Sequence, residues 1–334
     1  MKMTTNLRIA IISFEHPHAY SYASALQRIP GAELIAAADS DADRLARVRR
    51  EHSDVAGFYP DYLHMLDHAE MDAVIICSAN SSHLPIALEC AKRGKHILCE
   101  KPLAPTVEDS QKIIDACRAA GVTLMTAFPV RFSPPVHQLR QLVQSGQLGT
   151  VLGASTSNHG SMPGSWFVDA AKSGGGAVID HTVHVVDLLR WVLEDEVESV
   201  YAEYATRLHD LKVEDVGQLI MRFRKGTIAS LDTSWSRVKS YPIWGDVKMD
   251  FKGTDANVSV NCFPQQIHHF DDTAMRHSGY NVAEDLNQLM IEEFVSAVQE
   301  KRPALVSGED GLRAVQVAQA AYEAGRTGQA VRTK

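Results

Sequence analysis

Two stretches of this sequence carry residue types that could do proton chemistry. Cys99-Glu100-Lys101-Pro102 closes the short apolar run His96 to Cys99, and Asp180, His184 and Asp187 recur at intervals of four and three within Ala177 to Leu193. On a helix that spacing sets the last three side chains on one face. Polar groups on an otherwise apolar helix must be hydrogen-bonded or line a cavity. His184 is then the natural proton acceptor, with Asp187 or Asp180 fixing its tautomer. An ammonium at the end of a strand stands over the crevice where open α/β sheets bind ligands, and burial there would ready Lys101 to polarise an alcohol or carbonyl oxygen. The plainer alternatives are a surface turn with an ion pair at Glu100-Lys101 and a satisfied core histidine at position 184. Strand-end position argues against the first, and two flanking carboxylates against the second.

Elements with a regular rhythm must position these groups. From Leu7 to Ala127 short apolar runs alternate with longer amphipathic stretches, the pattern of βα units in a parallel sheet. The expected strands are Leu7 to Ser13, Glu33 to Asp39, Ala73 to Cys77, His96 to Cys99 and Thr123 to Thr126. The expected helices are Tyr22 to Ile29, Asp41 to Glu51, Ser82 to Arg93 and Thr106 to Ala120, with N-caps near Asp41, Ser82 and Thr106. After Ala127 a proline-rich turn leads to a helix, a strand at Val151 to Ser157, a glycine-rich loop and the long helix Ala177 to Leu193. Strand character then recurs at Val197 to Thr206, Val216 to Phe223, Thr227 to Ser236, Val247 to Phe251 and Val258 to Cys262, with turn signals such as Lys225-Gly226 that predict an antiparallel sheet. Helices are expected again at Ala283 to Lys301 and Glu309 to Ala324. The division is a doubly wound parallel domain over residues 1–127 and a second α/β domain over 128–334.

Charge and composition limit the partners. A formal net charge of -8 gives no cluster of cations for a phosphate backbone or an anionic membrane. The five cysteines are scattered without a Cys-x-x-Cys pair, and the first apolar run, Ile9 to Ile12, is too short to span or target a membrane. The chain therefore reads as a cytoplasmic protein with reduced thiols.

Asp39 ends the second expected strand, where a dinucleotide fold places the carboxylate that binds the adenosine ribose. A 2′-phosphate would meet like charge there, with Ser40 and Asp41 following, so NAD is favoured over NADP; a helix-capping aspartate is the alternative. The first strand-to-helix turn, Ser13-Phe14-Glu15-His16-Pro17-His18-Ala19, has no glycine. If a dinucleotide binds there, Glu15 must point away from the phosphates, while His16 and His18 face diphosphate or substrate or are simply solvated. His159, His181, His184 and Asp180 are ligand types, but His181 projects about 100° round the helix from Asp180 and is not expected to share a centre with it, so no metal is expected.

Together these residues resemble the glucose-fructose oxidoreductase and inositol dehydrogenase (Gfo/Idh/MocA) family over nearly the whole chain. The resemblance rests on Pro30-Gly31-Ala32-Glu33-Leu34 running into Asp39, on Asn80 and His83 ahead of Ala91-Lys92-Arg93-Gly94-Lys95-His96, and on Glu100-Lys101-Pro102 and Arg131-Phe132. It rests also on Gly174-Gly175-Gly176 with Asp180, His184 and Asp187, and on Gly308-Glu309-Asp310-Gly311. It implies an N-terminal Rossmann domain and a C-terminal α/β domain whose large open sheet serves oligomerisation, to dimers or tetramers. It implies that Lys101, Asp180 and His184 face the nicotinamide and the reacting carbon of a sugar, inositol or related polyol. Arg131, His159 and Trp166 are candidates for further substrate contacts. The cofactor contacts expected are Ser13, Phe14, His16, His18, Asp39, Ser78, Asn80, His83, Glu100 and Lys101. The family's glycine-rich turn is the point of departure: here the loop lacks glycine and is one residue longer, with Tyr22 at the place of the family's histidine. A non-catalytic dinucleotide- or sugar-binding regulator, or a redox-neutral lyase or glycosidase using NAD, are the alternative functions.

Overall fold

The first strand, β1 (Leu7–Ile12), is buried at every position except Arg8, as befits a central strand covered on both faces. The computed structural model describes residues 6–241, 243–263, 266–271, 273, 275–281 and 284–333. After β1 come α1 (His18–Leu26), β2 (Ala32–Ala38), α2 (Ala42–Glu51), β3 (Gly57–Tyr59), α3 (Tyr62–His68), β4 (Ala73–Ile76), α4 (His83–Lys92), β5 (His96–Cys99), α5 (Val107–Ala120) and β6 (Leu124–Thr126). All neighbours are parallel, in the order β3-β2-β1-β4-β5-β6. The order reverses between β1 and β4, which opens a crevice at the carboxyl ends of those strands.

Local chemistry explains most boundaries. Asp41 caps α2 by accepting from Asp43 N at 3.0 Å and Arg44 N at 2.9 Å, and Thr106 caps α5 through Asp109 N at 3.1 Å. Ser82 holds the cap position of α4 but makes no side-chain cap bond. Helix α1 starts at His18, a turn before the expected Tyr22, because Pro17 is pre-set for a helix start and needs no amide partner. The short pair β3 and α3 escaped the sequence pattern: three half-buried edge residues and seven helical ones carry too little periodicity.

The second half runs α6 (Pro134–Gln144), β7 (Val151–Gly160), α7 (Ala170–Ser173), α8 (Ala177–Leu193), β8 (Val197–Ala205), β9 (Val216–Phe223), β10 (Ile228–Ser234), β11 (Gly245–Gly253), β12 (Asn257–Asn261), β13 (Gln266–Asp271), β14 (Arg276–Asn281), α9 (Leu286–Glu300), α10 (Gly308–Thr327) and β15 (Val331–Arg332). Seven strands form one sheet, β12-β11-β7-β10-β9-β8-β15, antiparallel throughout except for β7 beside β10. β13 and β14 make a separate antiparallel pair that the sequence pattern did not suggest.

Two compact units result: Met1–Pro129 with Leu286–Leu312, and Val130–Asp285 with Arg313–Lys334. In the first, α9 lies on α1, where Arg28 Nε reaches Gln288 at 2.9 Å and Gln299 Nε2 donates to the Gly31 carbonyl at 2.9 Å. In the second, α8 covers one face of the seven-stranded sheet. Along β7, β9 and β10 the residues on that face are buried and those between them are more open, the alternation a pleated strand requires.

The triple glycine sets the start of α8. A Cβ at Gly176 would stand 2.0 Å from the Glu214 carbonyl oxygen, so that backbone approach exists only without a side chain. Gly176→Ala should cost about 3 kcal/mol in urea unfolding, the scale of forced overpacking. An unchanged midpoint would show that the contact yields freely.

Candidate active site

In the first unit the expected residues gather at the carboxyl ends of β1, β2, β4 and β5. Ser13 leaves β1 with φ +69°, the left-handed conformation a glycine normally supplies in this turn. Its amide donates to the Ala38 carbonyl at 2.7 Å, and the next amide, Phe14, donates to Asp39 at 2.6 Å. Asp39 is 4% exposed and is not the cap of α2, a role taken by Asp41. Besides Phe14, its carboxylate accepts from Asp41 N at 2.7 Å and from Arg44 Nε and a terminal guanidinium nitrogen, each at 2.9 Å. Two oxygens with about four lone-pair directions are thereby engaged. Arg44, five residues beyond Asp39, is the partner that sequence reasoning missed. Its signal was its place in the first turn of α2, three residues after Asp41.

Neither histidine of the loop is simply solvated. Glu100 is fully buried; its Oε1 lies 3.0 Å from His18 Nδ1, 2.5 Å from the Tyr22 hydroxyl and 3.9 Å from His16 Nδ1. The other carboxylate oxygen accepts from Lys101 N at 3.0 Å. Burial alone would raise the Glu100 pKa, but the imidazoles of His16 and His18 and the nearby Lys101 outweigh it and hold the carboxyl well below its usual range. The same burial, with Glu100 beside it, pushes the Tyr22 hydroxyl and the Cys77 and Cys99 thiols well up, so these stay protonated. His16, His18 and Glu100 bring their donor atoms within 4.8 Å of one another, a set a zinc-type cation could take. Tyr22 and His18 already satisfy Oε1 without one.

The remaining first-unit residues brace this corner. Glu15 is turned to the loop after β4, accepting from Ala79 N at 2.9 Å. His83 stands between Pro102 O at 3.0 Å and Ser78 O at 3.1 Å, and burial lowers its pKa against those bonds. It thus ties the loop carrying Ser78 and Asn80 to the one carrying Lys101, which is itself 3% exposed.

In the second unit Asp180 and His184 lie one turn apart on α8, each 6% exposed. Asp180 Oδ2 accepts from Trp235 Nε1 at 3.0 Å, and His181 Nε2 approaches the same oxygen to 3.3 Å. The expectation that His181 points away from Asp180 is therefore corrected. His181 Nδ1, 2.9 Å from the Asn158 carbonyl, swings the ring so that its far nitrogen comes back to its neighbour.

Asp187 pairs with Arg131 Nε at 2.9 Å, and a second guanidinium nitrogen contacts its other oxygen; both residues are buried. Trp166 is also buried, stacked on Phe167 with ring centroids 3.9 Å apart. His159 is not brought to the α8 face. Its strand parity puts it on the opposite side of the sheet, where Nε2 lies 3.3 Å from Asp232 and Nδ1 3.2 Å from Asp246. The hydrogen bond from His159 is the main cause that lowers the Asp232 pKa.

The start of α8 also depends on two residues the sequence did not mark. Glu214 accepts from Gly176 N at 2.8 Å, Val178 N at 3.0 Å and the Tyr322 hydroxyl at 2.7 Å, and burial raises its pKa despite these bonds. Only the glycine run hinted that another chain segment presses there.

The chain is similar to known proteins over nearly its whole length. Residues 7–128 match the family described as oxidoreductase family, NAD-binding Rossmann fold, and residues 136–259 match the GFO/IDH/MocA C-terminal domain. The chain is 29% identical over 313 residues to the myo-inositol 2-dehydrogenase of Thermotoga maritima, covering 90% of this chain and 91% of that one. It is 23% identical to the scyllo-inositol 2-dehydrogenase (NAD(+)) of Bacillus subtilis, covering 98% and 97%. Among solved structures, GenD2 from gentamicin A biosynthesis in complex with NAD superposes with a TM-score of 0.90 at 22% identity, covering 100% of this chain and 98% of that one.

The Glu100 cluster predicts a pH signature. A carboxyl held below its unfolded pKa contributes stability above that unfolded value and loses it as pH falls through the lower, folded one. Glu100→Gln should cost about 3 kcal/mol at neutral pH, the scale of breaking a buried charge network. The deficit should hold steady down to the ordinary glutamate range and shrink below it in urea unfolding; a deficit that grows on acidification contradicts the assignment.

Proposed function

The chain belongs to the GFO/IDH/MocA oxidoreductase family, whose N-terminal half is an NAD-binding Rossmann fold, and from that premise we propose that it oxidises a secondary alcohol of a sugar, inositol or related polyol. The observation that carries this reading is the buried polar set on α8, Asp180 held by Trp235 with His184 one turn on, in a family whose cofactor is NAD. Buried polar side chains on one helix face are hydrogen-bonded or line a cavity, and an aspartate and a histidine one turn apart are the residue types that hold and accept a hydroxyl proton.

The residues fit the dinucleotide. The strand order places a crevice beside the turn after β1, and Ser13 gives that turn its left-handed backbone. Ser13, Phe14, His16 and His18 are proposed to line the diphosphate end, Asp39 to act at the adenosine end by fixing Arg44 there, and the corner of Ser78, Asn80, His83, Glu100 and Lys101 to hold the nicotinamide end.

Bound NAD supplies the hydride acceptor. His184 takes the hydroxyl proton on an imidazole nitrogen as the C–H bond is given up, and in the reverse direction returns it. Lys101 donates to the substrate oxygen and stabilises the charge that develops there. Asp180, oriented by Trp235, fixes the hydroxyl, while Arg131 acts through its buried pair with Asp187.

We also propose that the open face of the seven-stranded sheet joins copies of the chain into a homodimer or homotetramer. Ile220 and Ile228 are 54% and 49% exposed there, at strand positions that otherwise alternate with buried ones.

Two measurements test these readings. His184→Ala and Lys101→Ala should each lower polyol-dependent NAD reduction by roughly 10²- to 10⁴-fold, with NAD affinity by calorimetry little changed. A variant with wild-type turnover overturns the assignment. Ile220→Glu should shift the mass in light scattering toward the monomer, and a wild type already monomeric sinks the proposed assembly.

A further inference from the structure

Of the four tryptophans, Trp166 and Trp235 are buried and Trp191 carries Arg140 over its ring at 4.7 Å, but Trp244 is 52% exposed. An indole left in water is unfavourable unless something covers it. Trp244 is also held in place. Its carbonyl accepts from Ser161 N at 3.0 Å, and the following residue, Gly245, sits where a Cβ would lie 2.3 Å from the His159 carbonyl, so the start of β11 is pressed onto the end of β7. Gly160 leaves room for two rings at once: a Cβ there would stand 2.9 Å from His181 Cε1 and 3.1 Å from Trp244 Cζ2. The two rings meet edge to face, with centroids 5.4 Å apart and planes at 82°. His181 in turn reaches Asp180 at 3.3 Å. An exposed, fixed aromatic surface therefore lies one imidazole away from the carboxylate assigned to the substrate hydroxyl.

We propose that Trp244 is the platform on which the ring of a cyclic polyol stacks, a substrate-positioning contact that gives this enzyme its preference for cyclic over open-chain polyols. The inference rests on the functional reading above. Sugars and cyclitols suit such a surface because their ring C–H bonds present an apolar face while the hydroxyls project around the rim. Stacking removes that face and the indole from water together, and leaves a rim hydroxyl free to reach Asp180. An open-chain polyol has the same hydroxyls but no rigid apolar face to offer.

The test compares myo-inositol with glucitol on wild type, Trp244→Ala and Trp244→Phe, by NAD reduction and by tryptophan fluorescence of the NAD-loaded protein. Trp244→Ala should raise KM for myo-inositol about tenfold, one aromatic contact's worth, while kcat stays within about threefold. KM for glucitol should be high and unmoved, so the cyclic preference disappears, and Trp244→Phe should restore most of it. Myo-inositol should quench wild-type fluorescence, with the change largely lost in Trp244→Phe. Reduction of NAD by myo-inositol with the same KM in Trp244→Ala overturns this inference and leaves the dehydrogenase reading standing. Absence of both reduction and quenching with myo-inositol overturns it too. If no polyol reduces NAD, it is the functional reading that fails.

Discussion

Glu100 keeps its charge although its side chain is fully buried. Taking a carboxylate into a protein interior costs several kcal/mol unless its lost solvation is replaced, and the chain meets that demand with hydrogen bonds from Tyr22, His18 and the Lys101 amide and with the His16 imidazole close by. Three of these four lie within the first turn and helix after β1, so the requirement at the end of β5 dictates the path of a loop that begins at β1. Lys101 is placed by the same constraint, since its own amide is one of the donors. The placing of Lys101 and the unusual loop are in this sense consequences of one buried charge.

Asp39 secures the other end of that loop, taking the Phe14 amide on the oxygen that also accepts from Arg44. The second unit repeats the principle at α8. Its exposed amides meet Glu214, whose own position depends on the absence of side chains at the preceding glycines. Carboxylates in both units thus act as fixed acceptors that hold backbone in place, and their pKa values diverge with their surroundings. Cationic neighbours pull Glu100 down, whereas Glu214, met only by neutral donors, is pushed up by burial.

The βα rhythm of the first half was legible because a doubly covered parallel strand must be largely apolar, as β4 is throughout and β1 and β5 are apart from Arg8 and His96. The caps at Asp41 and Thr106 were legible because side-chain caps are local chemistry. What the sequence withheld was long-range. Arg131 and Asp187 are 56 residues apart and nothing near either one announces the other. Asp180 and His181 mislead in the opposite way: helical projection separates their Cβ atoms, but an imidazole anchored to a third residue can turn its far nitrogen back toward its neighbour. The facing of His159 was readable in principle. Positions 154, 156, 158 and 160 are the buried ones on β7, which leaves 159 on the other side.

The glycine-free turn shows what a dinucleotide fold asks of that position. Glycine is the common answer because it adopts positive φ at no steric cost, but the requirement is the backbone conformation. Ser13 meets it at φ +69°, a conformation that costs an ordinary residue about 1–2 kcal/mol. The compensation is visible beside it: the Ser13 amide bonds to Ala38 at the end of the neighbouring strand β2, its hydroxyl accepts from Glu15 N at 3.2 Å, and the next amide meets Asp39. Each of those bonds contributes roughly 0.5–1.5 kcal/mol, more to a charged acceptor, so a handful of them can hold the strained residue. Conformation at this turn is thus conferred by its neighbours rather than by its own residue type. A fold specified that way can lose the glycine pattern by which sequence usually announces it.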